Sequence, residues 1–345
     1  MQKAGLLLGL SLMGAGSAQA QSASPAVDCA YVAQFGYFNY HPECNVAATS
    51  QIVTGPAIRQ MQAISEAVSL QANFGLGGGP LQASQGIRGI AAGANLPKWN
   101  VWASGNYNDV DLSKGAGNAI NFSGNQRVAT FGADYRLSPA TTFGVSAAYD
   151  DGYVRPQNGN GLKVTNAGIN VAPYFAYQLN KNYSIDGSVG LGWGSQRNSG
   201  GFALNHYDVD TERSFAGINL NSGHWYGNWQ VAGKASVFYS HQHNDADTGT
   251  GLGASSKYLM QGRVGVQTGY WMGNGFMPYV GVTYVNDMAR NQTFGVSLDK
   301  DGYVAGVGLN YFSKSGITGG VSYTSEFGRH DVTNNVFMAN VNVRF

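Results

Sequence analysis

Residues 99–108, WNVWASGNYN, decide the fold class, because their side chains alternate in polarity with a period of two. Trp99 and Val101 fall on one side of an extended chain, and Asn100 falls on the other. Residues 126–137, QRVATFGADYRL, repeat this separation of apolar and polar positions. Successive side chains of a β-strand point to opposite faces. Each segment therefore predicts a strand with one face suited to lipid and the other suited to water.

The same alternation continues to the C-terminus and predicts twelve strands between Lys98 and Phe345. The segments are about 10 to 18 residues long, which suits tilted strands that span a bilayer. The sixth segment is weaker, and its alternation is recognisable only over about residues 215–225.

The connections between these segments alternate in length. Short turns are predicted at residues 138–139, 180–182, 227–228, 273–275 and 313–316. Longer polar loops are predicted around residues 111–122, 152–162, 197–210, 244–255 and 287–297. Barrels of the bacterial outer membrane have short periplasmic turns and longer outer loops, and an even strand number leaves both chain ends in the periplasm. The pattern predicts an all-β transmembrane fold, a 12-stranded antiparallel outer-membrane β-barrel.

The composition excludes several other classes. Of 345 residues, 11% are charged and 12% are aromatic, and this aromatic content argues against a disordered chain. Lys and Arg number 20 against 19 Asp and Glu, so no basic field would collect nucleic acid. After residue 20 no run approaches the ~18 to 20 apolar residues of a spanning helix. A closed β-barrel is the spanning architecture that remains.

The first fifty residues have the features of an exported chain. Residues 1–20 form a secretory signal peptide, with a positively charged start, an apolar run and AQA at residues 18–20 as the cleavage site. Residues 21–53 form a short N-terminal segment. Cys29 and Cys44 within it are expected to form a disulfide loop, because the compartment is oxidising.

One helix is predicted before the barrel, at residues 54–73. Thr54 is a candidate N-cap, and Ile58, Met61 and Ile64 recur at helical spacing on one face. Residues 74–97 are rich in Gly and Ala and read as a connector. The barrel itself is assigned to residues 98–345.

Together these features resemble the autotransporter translocator family of Gram-negative outer membranes. The resemblance covers about residues 54–345 and includes WNVW at 99–102, FGADY at 131–135 and VNVRF at 341–345. It implies a 12-stranded barrel with the N-terminal helix plugging the lumen. It further implies a barrel that anchors and translocates a passenger N-terminal to the helix.

The chain departs from the family in the length of that passenger. Residues 21–53 are too few for the β-helical or enzymatic passengers typical of the family. We therefore expect the barrel to translocate its own very short N-terminal segment, with the helix sealing the pore. Self-cleaving members cut the helix at an Asn pair, and Asn73 stands without such a neighbour, so we expect the helix to remain attached.

The C-terminus resembles the signal that directs barrel assembly, through Val341, Val343 and the terminal aromatic Phe345. The resemblance implies the barrel-assembly machinery and periplasmic chaperones as partners, beside outer-membrane lipid and lipopolysaccharide. We expect a monomer with no nucleic-acid partner and no cofactor.

The water-facing strand positions carry charged residues that we expect in the lumen, because each would cost ~2 to 4 kcal/mol in lipid near the bilayer midplane. They are Asp134, Arg136, Asp186, Lys234 and Arg263. The predicted helix carries Arg59 and Glu66. One interpretation is that ion pairs lock the helix as a plug; the other is that these charges hydrate an open pore.

Enzymatic and metal-binding interpretations rest on weaker patterns. The acidic pair at residues 150–151 and the His-Asp pair at 330–331 fall at outer strand ends, as in outer-membrane aspartyl-type proteases. The run SHQH at residues 240–243 places a Ser beside a His, but adjacent strand residues point to opposite faces. His241 and His243 supply two metal ligands at most. We expect no catalytic residue and no metal site, and interpret these residues as a solvated rim.

Two alternatives to the translocator remain open. A passive diffusion channel of porin type would leave the lumen unoccupied, whereas one helix can fill a pore of ~12 strands. A surface adhesin or antigen would act through the outer loops, and deletion of residues 197–210 or 244–255 would abolish its binding to cells.

Overall fold

The protein is described by a computed structural model, which covers Met61, Glu66 and eight segments of the chain. These are residues 98–112, 122–156, 163–199, 207–246, 254–290, 299–313, 315–329 and 332–345. The predicted signal peptide, the Cys29–Cys44 loop and the connector lie outside the described residues. Of the predicted helix, Met61 and Glu66 are described, and both are helical.

Twelve strands lie in the described segments. They are β1 (Trp99–Leu112), β2 (Phe122–Ser138), β3 (Thr141–Pro156), β4 (Lys163–Gln178), β5 (Tyr183–Ser199), β6 (Tyr207–Tyr226), β7 (Trp229–Asn244), β8 (Ser255–Tyr270), β9 (Phe276–Arg290), β10 (Asp301–Phe312), β11 (Ile317–Phe327) and β12 (Val332–Arg344). Each pairs antiparallel with its sequence neighbours, and β1 pairs with β12 from Asn100 opposite Arg344 to Leu112 opposite Val332. The predicted 12-stranded antiparallel barrel is confirmed. Because the barrel is closed, no strand has a free edge. The backbone N–H and C=O groups therefore find in neighbouring strands the hydrogen-bond partners that lipid cannot provide.

Side-chain polarity follows the barrel wall as the alternation predicted. Trp99 and Phe131 point outward and are 50% and 60% exposed, whereas Asn100 and Thr130 point inward and are buried. Two belts of aromatic side chains encircle the outer surface, about six to ten residues apart along a strand, as at the edges of a lipid-facing band. Their members include Trp99, Phe143, Tyr177, Tyr183, Trp229, Tyr270, Phe276 and Tyr311 near the chain ends, and Tyr107, Tyr149, Trp193, Tyr239, Tyr284, Tyr303 and Phe337 near the other rim.

The connections differ in length at the two rims. Those at the rim that holds both ends of the barrel have two to five residues, such as Gly227-Asn228 between β6 and β7. Gly227 adopts a φ of 60°, which a residue without a Cβ tolerates in a two-residue hairpin turn. Connections at the opposite rim have four to ten residues. Among the described residues, no helix has the length and apolarity needed to cross a bilayer.

Several outer strand ends extend further than the sequence indicated. The predicted loops at 152–162 and 197–210 are shorter, because β3 continues to Pro156 and β6 begins at Tyr207 rather than near residue 215. Asp208 and Asp210 point outward on this part of β6, and Arg213 points inward. Beyond the lipid-facing band both faces carry polar residues, so the polarity alternation disappears while the hydrogen-bonded ladder continues.

An apolar cluster lies inside the barrel. Met61 is fully buried and packs with inward-facing residues of five strands. These are Val128, Ala148, Ala172, Phe215 and Phe238. The inward-facing Gly190 lies against the Phe215 ring, and a Cβ at this glycine would collide with ring carbons Cε1 and Cζ. Inward glycines thus make room for the large side chains of neighbouring strands.

Replacing Gly190 with Val is expected to lower the free energy of unfolding by about 1 to 3 kcal/mol, because Phe215 must leave its buried position. Gly105→Val is the matched control, since Gly105 is an exposed residue of β1 and a Cβ added there would meet no other side chain or backbone within 4 Å. Urea unfolding of the barrel in lipid vesicles measures both. Equal stability of the two variants would contradict this account of the lumen glycines.

Candidate functional site

The barrel lumen is the candidate functional site, because it gathers the buried polar and charged residues of the wall. Its inward-facing polar side chains are nearly excluded from solvent. They include Asn100, Asn106, Gln126, Thr130, Ser146, Asn166, Asn170, Ser188, Gln196, Ser240, Gln242 and Asn342. Buried polar groups are destabilising unless they find partners, so their contacts determine the structure of the lumen.

Asp134 of β2 anchors one cluster of hydrogen bonds. Asn100 Nδ2 donates to its Oδ2 at 2.7 Å, and the Tyr174 hydroxyl donates to the same oxygen at 2.9 Å. Trp102 Nε1 donates to the Tyr174 hydroxyl at 2.7 Å, which extends the chain across β1, β2 and β4. Arg344 of β12, opposite Asn100 in the β1–β12 register, and Arg136, two residues further along β2, both act on the carboxylate electrostatically. The carboxylate is therefore held by neutral donors with cations nearby.

Asp150 of β3 forms an ion pair with Arg213 of β6 across the lumen. Arg213 Nη1 donates to the two carboxylate oxygens at 2.9 and 2.7 Å, and both side chains are 0% exposed. Asn170 Nδ2 donates to Asp150 at 2.7 Å. The interpretation of Asp150 as part of a solvated rim is wrong. The sequence did not reveal the pair for two reasons. The partners are 63 residues apart in the chain, and Arg213 lies before the region where β6 was predicted to begin.

Asp186 of β5 is held by two amides of β6. Asn219 Nδ2 and Asn221 Nδ2 donate to its two oxygens at 2.7 Å each. Asn221 is opposite Lys234 in the β6–β7 register, and the Lys234 side chain is partly buried. The lumen between β5 and β7 thus combines a bonded carboxylate with a nearby cation.

Asp287 of β9 is the centre of the largest charged cluster described. Arg290 Nη1 donates to its Oδ2 at 2.7 Å, and Arg329 Nη1 donates to the same oxygen at 2.8 Å. Gln261 Nε2 donates to the other oxygen at 2.7 Å, and Arg329 also lies 3.0 Å from a Glu326 oxygen. The side chains of Asp287, Arg329 and Glu326 are less than a tenth exposed. The cluster ties β8, β9 and β11 together inside the outer half of the barrel.

This cluster connects to the helix through Gln261. Arg263 Nε donates to Gln261 Oε1 at 2.8 Å, and Arg263 Nη1 also donates to Glu66 Oε1. Arg263 was predicted as a lumen charge, and Glu66 as a charge of the helix. A continuous chain of hydrogen bonds therefore runs from Glu66 through Arg263 and Gln261 to Asp287.

The remaining site residues proposed from the sequence lie as follows. Arg59 lies outside the described residues, as do Cys29 and Cys44. On β12 and at the chain end, Val341 and Phe345 are 45% and 66% exposed on the outer surface. Val343, between them, is partly buried.

Among the residues that the structure describes, those weighed for catalysis do not meet. Ser240 is buried in the lumen, whereas His241 lies on the opposite face of β7. His243 contacts Ser256 at 2.8 Å and lies 3.7 Å from Asp245 on the outer side. Within the part of the chain that the structure describes, no three His, Cys, Asp or Glu side chains form a group able to hold a metal. Residues 330–331 lie outside the described segments.

Sequence reasoning missed the ion pair of Asp150 with Arg213 and the two arginines on Asp287. The inward orientation of Arg213 could have been predicted, since Arg213 is two residues from the inward-facing Phe215 and therefore points to the same face of β6. The position of Arg329 could not have been predicted, because Arg329 follows the last residue of β11 and its contact with Asp287 spans 42 residues of sequence.

A closed antiparallel barrel with an apolar band between aromatic belts and a polar lumen defines the class of outer-membrane β-barrel proteins. Within that class, the family model described as "Autotransporter beta-domain" matches residues 101–324. The chain belongs to this family, whose barrels lie in the outer membrane of Gram-negative bacteria.

Solved autotransporter barrels share the fold at low sequence identity. The translocator domain of NalP from Neisseria meningitidis is 14% identical, with a TM-score of 0.60, and the match covers 82% of this chain and 99% of that one. The β-domain of BrkA from Bordetella is 16% identical, with a TM-score of 0.59, over 72% of this chain and 100% of that one. The transport unit of AIDA-I from Escherichia coli is 12% identical, with a TM-score of 0.54, over 75% and 94%. No curated protein matches the chain in sequence.

Proposed function

We propose that the barrel anchors the chain in the outer membrane and carries its own short N-terminal segment, residues 21–53, to the outer surface during assembly. The helix at residues 54–73 then stays in the lumen and seals the pore. No catalytic step belongs to this function. The observation that carries the proposal is the position of Met61 in the apolar cluster inside the barrel.

Met61 supports a seated helix because of what surrounds it. Its side chain is 0% exposed and packs with apolar residues from β2, β3, β4, β6 and β7. Burying a Met side chain contributes about 1.5 to 3 kcal/mol, and the same apolar wall would face water in an open pore. The wall and the helix residue therefore complement each other.

Glu66 supports the same arrangement through charge. It accepts a hydrogen bond from Arg263, whose own orientation is held by Gln261. Glu66 is five residues from Met61, so the helix presents an apolar contact and a charged contact to the lumen wall about one and a half turns apart. Two contacts of different chemistry oppose both sliding and rotation of a helix.

The assembly partners belong to the same proposal. Val341, Val343 and Phe345 would serve as the signal recognised by the barrel-assembly machinery, after periplasmic chaperones deliver the chain. The exposure of Val341 and Phe345 on the outer surface keeps those side chains accessible to a partner before lipid covers them. The barrel would function as a monomer in contact with lipid and lipopolysaccharide.

Single-channel conductance in a planar bilayer tests the seal. A chain of residues 21–345 is expected to be nearly closed, whereas a chain beginning at Lys98 is expected to conduct as an open pore of twelve strands. Glu66→Arg and Arg263→Glu are each expected to raise the open probability at least tenfold, because like charges then meet at the wall. The double variant Glu66→Arg/Arg263→Glu restores opposite charges and is the matched control, expected to close again.

The outcomes separate the translocator from its rival. Large and equal conductance of the full chain and the truncated chain would overturn the helix seal and favour a diffusion channel. Accessibility of a tag in residues 21–53 to protease on intact cells tests the translocation step. If the tag is protected from protease in cells whose barrel is folded, the proposed translocation step is wrong.

A further inference from the structure

The inward face of the barrel wall carries more positive than negative charge. Within the described residues, six arginines and two lysines point into the lumen, against five carboxylates. The cations are Arg136, Arg213, Lys234, Lys257, Arg263, Arg290, Arg329 and Arg344, and the carboxylates are Asp134, Asp150, Asp186, Asp287 and Glu326. Arginine keeps its charge even when it is buried, so the six arginines alone outnumber the carboxylates.

The alternation of side chains along the strands sets the inward orientation of these residues. Arg136 is two residues from the buried Asp134, and Arg344 is two residues from the buried Asn342. Residues two apart in a strand point to the same face, so both arginines point into the lumen.

Arg290 reaches the lumen through a bulge. The β8–β9 register shifts between Met260 and Gln261, and β9 has one extra residue at this point. Arg290 is therefore opposite Leu259, which packs against the apolar cluster inside the barrel. The bulge adds a cation to the lumen that strict alternation would have turned outward.

The positive excess arises from the placement of the charges and not from the composition. Lys and Arg number 20 in the whole chain, against 19 Asp and Glu. Several carboxylates lie exposed on the outward face of the outer strand ends, namely Asp109, Asp208, Asp210 and Glu212. A chain of nearly balanced charge thus encloses a positive lumen.

The half of the lumen nearest the chain ends shows the same excess. The carboxylates described there are Asp134 and Asp186, and the cations are Arg136, Lys234 and Arg344. Arg136 and Arg344 both act on Asp134, and they are close enough to act on each other. One carboxylate does not neutralise two guanidinium groups, so this half keeps a positive charge. A segment that comes from the periplasm meets this half first.

The charged side chains of residues 21–53 have the opposite sign. The segment contains Asp28 and Glu43 and neither Lys nor Arg. Asp28 precedes Cys29 and Glu43 precedes Cys44, so the expected disulfide loop would bring the two carboxylates together. A pore lined by Arg and Lys raises the local concentration of anions and lowers that of cations.

We propose that the lumen lining selects anions over cations and thereby favours the passage of residues 21–53. The ion preference follows from the charges of the wall and does not depend on the helix seal. The effect on residues 21–53 rests on the function proposed above, in which this segment crosses the barrel. The preference weakens as the salt concentration rises, because mobile ions screen the wall.

Reversal potentials in a planar bilayer with a tenfold KCl gradient test the ion preference of the full chain. Single openings are measured whether the barrel is closed for most of the time or open throughout. Met61→Ala removes a helix contact without changing any charge and makes openings more frequent. Cl− is expected to be at least threefold more permeant than K+ in both chains. Arg136→Gln/Lys234→Gln is expected to lower this ratio at least twofold, since carboxylates then outnumber cations in the half nearest the chain ends.

Lys163→Gln/Lys181→Gln is the matched control. It removes two positive charges from outside the lumen, on the outward face of β4 and in the turn before β5, and the permeability ratio is expected to stay unchanged. Heat-modifiable gel mobility establishes that each variant is folded, and Lys234→Gln alone replaces the double lumen variant if that one fails to fold. Equal permeability of the two ions in the natural chain overturns the proposal. An unchanged ratio in the folded lumen variant overturns it as well.

The rate of surface display tests the effect on residues 21–53. Pulse-labelled cells are treated with protease at intervals, and cleavage of a tag in this segment gives the rate. Asp28→Lys/Glu43→Lys is expected to slow display at least threefold, and the neutral control Asp28→Asn/Glu43→Gln is expected to slow it less. Display of the lysine variant at the natural rate contradicts the proposed role of the lining. If the natural chain itself is never displayed, the proposed function is wrong, whereas the ion preference is decided by the bilayer measurement.

Discussion

Replacing Arg213 with Met is expected to lower the free energy of unfolding of the barrel by about 3 to 5 kcal/mol. Asp150 would then be a buried carboxylate with Asn170 as its remaining hydrogen-bond donor among the described residues. Both side chains of the ion pair are 0% exposed, so water cannot take the place of the lost guanidinium. The penalty arises from the uncompensated charge rather than from the attraction that was lost.

Arg197→Met is the matched control for this prediction. Arg197 pairs with Asp208 at 2.6 Å, close to the 2.7 Å of the buried pair, but the two side chains are 66% and 50% exposed. Screening by water limits such a pair to less than about 1 kcal/mol. Urea unfolding from lipid vesicles measures both variants. The double variant Asp150→Leu/Arg213→Met is expected to recover most of the loss, and a small loss in Arg213→Met alone would show that the pair is not isolated from water.

Asp287→Asn is expected to lower the free energy of unfolding by about 2 to 4 kcal/mol. The substitution preserves the volume but leaves Arg290 and Arg329 without the carboxylate that both contact. Glu326 remains near Arg329 and offsets part of the effect. Because Gln261 bonds both Asp287 and Arg263, the variant is also expected to loosen the contact of Arg263 with Glu66 and raise channel flicker.

Asp301→Asn provides the comparison for this second prediction. Asp301 accepts hydrogen bonds from the Tyr284 hydroxyl and Asn286 Nδ2, but it lies at the exposed start of β10. We expect no resolvable change in urea unfolding, since water replaces the lost acceptor. If Asp301→Asn destabilised the barrel as much as Asp287→Asn, burial would not be the source of the effect.

The strand count and the orientation of the wall could be predicted from the sequence because lipid imposes a strict rule on each residue. Whether Trp99, Asn100 or Val101 faces lipid or the lumen depends on the polarity of its own side chain. The alternation with a period of two continues along the strand. The short turns could also be predicted from local residues alone, as at Gly227-Asn228, where the glycine adopts a positive φ.

The outer strand ends could not be predicted by that rule. Residues 207–214 continue β6 with polar side chains on both faces, because this part of the strand stands clear of lipid. The polar sequence there is typical of a loop, although β6 remains paired with β5 and β7. Arg213 was missed for this reason, and with it the partner of Asp150.

The sequence by itself determined that the chain forms twelve lipid-facing strands with polar residues inside, since that follows from the chemistry of single residues in lipid and water. Only the tertiary structure decided which of the inner residues meet. Asp150 and Arg213 are 63 residues apart, and Glu66 and Arg263 are 197 apart, in the chain. Such contacts depend on strand register and barrel closure, which place distant positions across one lumen, and no local pattern of side chains encodes that distance.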